Sequence, residues 1–147
     1  MDWKTILFGF DGRLNRAKYW FGVLITFVTC LAGGLLAVPL VVGLGETVGY
    51  PIAIVVGIAV FIAIAWIALA TGVTRLHDRD KSAWWLLLFY VLPFLFSAVG
   101  STGNNSAELF SLVGSGISIW ALVELGCLKG TTGPNAYGPD PLPPEST

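Results

Sequence analysis

Four long apolar stretches alternate with short polar ones along the chain: Tyr19 to Val42, Pro51 to Gly72, Trp84 to Gly100 and Leu109 to Leu128. Within each, apolarity is uniform. Neither the helical periodicity of a soluble core helix nor the alternation of a half-buried strand sustains such runs. Roughly 20 apolar residues cross a hydrocarbon core about 30 Å thick. The pattern therefore predicts four membrane-spanning helices in one domain over residues 1–128, followed by an irregular Gly/Pro-rich tail over 129–147. The third stretch is the shortest and carries Pro93, so it is expected to kink, to tilt little or to thin the bilayer locally. The fold class expected is all-α, an antiparallel four-helix membrane bundle.

The first stretch is not read as a cleaved signal peptide. Its apolar run and the charged preamble before it are too long, and no small-residue cleavage pattern follows cleanly. Small residues recur at a spacing of four in Gly33 and Ala37, Ala53 and Gly57, Ala59 and Ala63, and Gly114 and Ser118. Such pairs let helix backbones approach closely in lipid.

Composition agrees with the pattern. Of 147 residues, 55% are apolar and 12% charged, about half the charged fraction of an ordinary soluble domain, and the mean hydropathy is +0.78. A net charge of -1 points to no nucleic-acid partner. The distribution of charge is more informative than its sum. Lys4, Arg13, Arg16 and Lys18 precede the first stretch, Arg75, Arg79 and Lys81 lie between the second and third, and Lys129 follows the fourth. The other two connections contain only Glu46 and Glu108. Basic residues near span ends are retained on the inner side, which predicts a multi-pass protein with both termini cytoplasmic. Tyr19, Trp20, Tyr50, Trp84 and Trp85 sit where an aromatic belt belongs. Cys30 and Cys127 fall at different depths and are expected to be reduced packing residues.

Three polar segments carry the candidate chemistry. An interfacial entry runs from Phe8 to Trp20, turning at Asp11 and Gly12 before Asn15 offers a helix N-cap. A charged hairpin runs from Thr74 to Trp85. A tail runs from Lys129 to Pro141, and beyond it Leu142 to Thr147 reads as frayed. The turn residues Gly133, Pro134, Asn135 and Gly138, together with Tyr137, suggest that the tail folds back on the hairpin.

Gly12-Arg13, Tyr19-Trp20, Arg75-Leu76-His77-Asp78, Trp84-Trp85 and the Gly130 to Pro141 tail occur in an order that resembles one family, the small bacterial inner-membrane proteins catalogued as domain of unknown function 805. The resemblance spans nearly the whole chain. It implies a helical protein of the bacterial inner membrane, with no activity or cofactor to inherit. The chain departs from the family pattern in three places: Asn15 is followed by Lys18 where the family has a capping box, Thr74 stands before Arg75 where a second arginine is usual, and the tail reads Lys129-Gly-Thr-Thr-Gly-Pro-Asn-Ala-Tyr-Gly.

Arg13, Arg16 and Arg75 are candidates for a phosphate cradle at headgroup depth, since arginine grips phosphate through paired donors. The alternative is pairing with Asp11, Asp78 and Asp80. His77 and Asp78 invite an acid-base or binding reading, although adjacent side chains seldom meet on a helix. Glu124, about 7 Å inside the last stretch, is the one intramembrane charge; pairing with Arg75, Arg13 or Lys129 is the simple explanation. One His and two Cys at different depths make no tetrahedral metal site, no cofactor motif is present, and no residue is assigned a catalytic role. The leading expectation is a non-enzymatic membrane component that binds lipid, anionic phospholipid included, or a protein partner, a second copy of the chain among them, at its cytoplasmic face. A small oligomeric transporter or channel is the alternative, and a membrane enzyme acting on lipid headgroups the third reading.

Overall fold

The computed structural model describes residues 3–101 and 107–142. The fraying expected of Leu142 to Thr147 falls, Leu142 apart, outside the described residues. Every regular element is helical: α1 (Trp3–Phe8), α2 (Arg16–Asp78), α3 (Leu92–Gly100) and α4 (Ala107–Leu122). Among the described residues no strand occurs, and one isolated bridge pairs Asn135 with Gly138 in the tail.

The 63 residues of α2 are two arms, 16–44 and 46–78, joined at Gly45. Its φ of 73° lies in the left-handed region that glycine enters without steric cost. The reversal lays the arms side by side and antiparallel. A Cβ on Gly33 would come within 2.9 Å of Val60, one on Gly22 would strike Thr71, and Gly49 abuts the backbone of Leu40 and Val41. The apolar runs on either side of Gly45 thus form one hairpin, each arm about 40 Å long or more at 1.5 Å per residue. Asn15 caps the first arm as expected, its side chain accepting from the Lys18 N–H at 3.0 Å.

Leu87–Val91 form a π-helical turn ahead of α3. Pro93, at the first positions of α3, lacks the N–H that a regular ladder there would use. With that turn the third apolar helix runs Leu87–Gly100, and it is shorter than the last, Ala107–Cys127. Helices α3 and α4 pack along each other, with Phe96 against Phe110 and Gly114 against Phe96 and Pro93. Of the small-residue pairs, Gly33 and Gly114 therefore lie at helix contacts, whereas Gly57 faces open space.

The buried apolar cluster sits toward one end of the molecule. Ile6 and Leu7 of α1 join Leu14, Leu76, Leu86, Phe89 and Leu125 there. The outer flanks are apolar and open, Phe27, Leu35, Phe61 and Leu112 among them, a surface suited to lipid. Cys30 and Cys127 are free, but both are exposed and neither fills a core gap. The expectation of packing residues is corrected: each lies on the outward side of its helix.

Candidate functional site

The polar end is built from four pieces of chain: the loop into α2, the end of α2, the end of α4 and the tail. A backbone bond from the Leu14 N–H to the Thr74 carbonyl, 3.0 Å, fixes the loop against α2. Arg13 thereby reaches Asp78, its Nε 3.1 Å from Oδ1. Arg75, one helical turn before Asp78, takes the other carboxylate oxygen. All three side chains are buried, Arg75 completely, at 0% exposure.

Two guanidiniums on one carboxylate leave most of their donors over, and backbone carbonyls take them. Arg13 donates to the carbonyls of Thr131, Gly133 and Gly138 in the tail. Arg75 donates to Leu125 at 2.7 Å, Leu14 at 3.2 Å and Leu128. Burial works against both charges, pulling the Arg75 guanidinium down and pushing the Asp78 carboxyl up, while their mutual attraction opposes it. The donors of Arg13 and Arg75 thus hold the fold together. Of the three arginines considered for a phosphate cradle, Arg16 is the one at the surface.

The end of α4 is a second convergence. Val123–Cys127 form a π-helical turn, and the carbonyls at and just after that end accept from side chains of α2 and from that of Arg79, which follows it. Besides the Arg75 bonds, Trp20 Nε1 donates to Gly126 at 3.1 Å, Arg16 to Cys127 at 3.0 Å and Arg79 to Lys129 at 2.6 Å. Cations there also complement the negative end of the helix dipole. Glu124, on the same turn, is held by Arg79 at 3.1 Å and Lys81 at 2.8 Å. This corrects the expected partners Arg75, Arg13 and Lys129: the hairpin after α2 brings Arg79 and Lys81 to it, while Arg75 and Arg13 are committed to Asp78.

The tail folds back on the end of α2, as its turn residues suggested. The Thr131 N–H donates to the Asp78 carbonyl at 2.8 Å, and Asn135 Nδ2 to the His77 carbonyl at 2.8 Å. Tyr137 lies flat on the His77 ring. Gly130 passes so close to Asp78 that a Cβ there would overlap the carboxylate. His77 and Asp78 do not work as a pair, since Asp78 faces the arginines and His77 the tyrosine. The buried His77 Nδ1 has no hydrogen-bond partner among the described residues. Burial pulls His77 below its usual range, against the Gly12 backbone and the Asp11 carboxylate, which favour the proton.

Outside this core two adjoining clefts open beside Arg16. One, about 420 Å³, is lined by Asn15, Arg16, Ala17, Trp20, Gly126 and Leu142. The other, about 110 Å³, shares Asn15, Arg16 and Leu142 and adds Lys129, Thr132 and Asp140. Thr132 and Asp140 had no part in the sequence reading of the site, and Lys129 entered it only as a candidate partner of Glu124. Their signal was weak because exposed polar residues in a tail look alike until the chain folds. Among the described residues no group of three His, Cys, Asp or Glu side chains is placed to hold a metal.

Residues 7–139 match a family described as Protein of unknown function (DUF805). The chain is 32% identical to the "Inner membrane protein YhaH" of Escherichia coli (strain K12), covering 96% of this chain and 97% of that one. It is 31% identical to "Inner membrane protein YhaI" of the same organism, covering 90% and 86%. It is 29% identical to that organism's "Uncharacterized protein YiiR", covering 91% and 86%. No solved structure matches.

Proposed function

This chain belongs to the DUF805 family, and on that premise we propose that it is an inner-membrane protein with four crossings and both ends cytoplasmic, whose polar end binds the phosphate of phospholipid headgroups without catalysing a reaction. Localisation is supported by the relatives named as inner membrane proteins. Orientation is supported by the gathering of basic residues from three segments at one end, where Arg13, Arg16, Arg75 and Arg79 all bond to the tail, to Asp78 or to the end of α4. Retention of cations against the membrane potential puts that end inside.

The observation that carries the binding reading is the surface arginine. Arg16 gives one N–H to the Cys127 carbonyl and lines both clefts. Beside it Trp20, 45% exposed, has its indole N–H turned to Gly126. A cation with spare donors next to an interfacial tryptophan suits a headgroup phosphate. Native mass spectrometry of the detergent-purified protein tests it. The wild type is expected to retain phospholipid and Arg16→Ala to lose most of it; equal retention would refute the reading.

A small oligomeric transporter or channel has one supporting observation, a cleft of about 390 Å³ between α3 and α4 lined by Ser97, Ser111, Ser115 and Ser118. Against it, Ser115 and Ser118 spend their hydroxyl protons on their own helix, and Glu124 is held by Arg79 and Lys81.

A further inference from the structure

The clefts beside Arg16 differ in the charged side chains that line them, and the difference specifies a ligand more closely than phosphate alone. The larger one holds a single charged side chain, Arg16, beside Trp20, and Phe21 and Leu24, which follow Trp20 on the first arm, are exposed. Four charged side chains line the smaller one, Arg16, Asp78, Lys129 and Asp140, with Pro141 and Leu142 beside them. Arg16 and Lys129 are its positive groups. Asp78 also borders it, but its two oxygens are taken by Arg13 and Arg75. The open negative group is Asp140.

The Asp140 carboxylate is fixed without being neutralised. Oδ2 accepts from the Gly133 N–H at 2.8 Å and Oδ1 from the Leu142 N–H at 3.0 Å. These bonds hold it below the usual carboxylate range, so it is ionised at neutral pH. A carboxylate oxygen has two acceptor sites, so each keeps one free. The smaller cleft, about 110 Å³, is several times the roughly 30 Å³ that a water occupies in the liquid. It therefore presents two cations and one carboxylate to a group of several heavy atoms.

A phosphatidylglycerol headgroup would satisfy Arg16 and Lys129 but offer Asp140 only a neutral hydroxyl donor. A headgroup that places a primary ammonium two carbons from its phosphate satisfies all three, because an ammonium supplies N–H donors to the carboxylate. We propose that the paired clefts take an aminophospholipid, with the phosphate at Arg16 and Lys129, the primary amine at Asp140 and an acyl chain passing Trp20 onto the first arm of α2. The inference rests on the phosphate-binding reading above and adds the amine.

The test uses the full chain in nanodiscs of phosphatidylcholine doped with a spin-labelled probe, either phosphatidylethanolamine, phosphatidylglycerol or phosphatidylcholine, so that the ligand itself is varied without touching the fold. Bound probe is expected to favour phosphatidylethanolamine by about fivefold over the other two, the scale of one partly solvated ion pair. Asp140→Asn is expected to abolish that preference while phosphatidylglycerol binding stays or rises. Phosphatidylethanolamine bound no better than phosphatidylcholine, or a preference unchanged in Asp140→Asn, would overturn the amine assignment while phosphate binding stands. Binding of all three probes unaffected by Arg16→Ala would instead overturn the phosphate reading beneath it.

Discussion

Tyr137 lies on His77 with ring centroids 3.9 Å apart and planes 6° from parallel, so a tail residue covers a side chain 60 positions earlier in the chain. The stack closes the tail over the buried arginines, whose donors run to Thr131, Gly133 and Gly138. Replacing Tyr137 by Ala is expected to cost about 1 kcal/mol beyond the lost contact area. Limited proteolysis in detergent should cut the tail faster in the variant, with the apolar helices left intact.

His77 gives the same latch a pH dependence. Its folded-state affinity for a proton is lowered by burial, so the unfolded or undocked state binds the proton more readily. The stabilisation is therefore fully present above the ordinary histidine range, near pH 6.5, and is lost as pH falls below it toward the lowered folded value. Thermal melts between pH 7.5 and 5 should show a falling Tm in the wild type and a shallower fall in His77→Gln. Equal slopes would exclude His77 as the group responsible.

Asp78 is the carboxylate both buried arginines share. Asp78→Asn is expected to destabilise the protein by about 3 to 5 kcal/mol, because two guanidiniums then stay buried without a counter-charge. Arg75→Lys should be nearly as harmful. An ammonium has no planar fork and cannot reach Leu14, Leu125, Leu128 and Asp78 at once. Detergent-extracted yield and melting temperature measure both.

Gly130 has no room for a methyl group beside Asp78. Gly130→Ala is expected to displace the tail or the carboxylate and to lower stability by about 1 to 3 kcal/mol, the usual cost of overpacking. Gly133→Ala meets no neighbour, yet its φ of 75° is unfavourable for alanine, so about 1 kcal/mol is expected there. Melting temperatures of the two variants give the order.

Glu124 bonds to two cations that remain about a quarter exposed. Glu124→Gln is expected to cost about 1 kcal/mol or less, since solvent screens such pairs. A proteoliposome flux assay should not distinguish it from wild type; a flux abolished by this substitution would favour the transporter reading.

The helical class and the apolar lengths were legible in the sequence because hydrocarbon imposes them locally: every backbone group must bond within its own helix, and every outward side chain must be apolar. The Asn15 cap and the turning of the tail were legible for the same reason, each being decided within a few residues. Arg75 and Asp78 also stood three apart on a helix, within reach of each other.

What the arginines do was not decided locally. Arg13 and Asp78 are 65 residues apart, and Arg75 bonds to carbonyls some 50 residues later. A guanidinium reads in sequence as a surface cation awaiting an anion; only the meeting of four chain segments turns two of them into buried struts and leaves Arg16 outside. Glu124 likewise took its partners from the hairpin that the fold brought to it. Hydropathy is a property of each stretch by itself, and the sequence therefore determined which parts of the chain suit lipid. Pairing of long polar side chains depends on distances between stretches, and these exist only once the chain has folded.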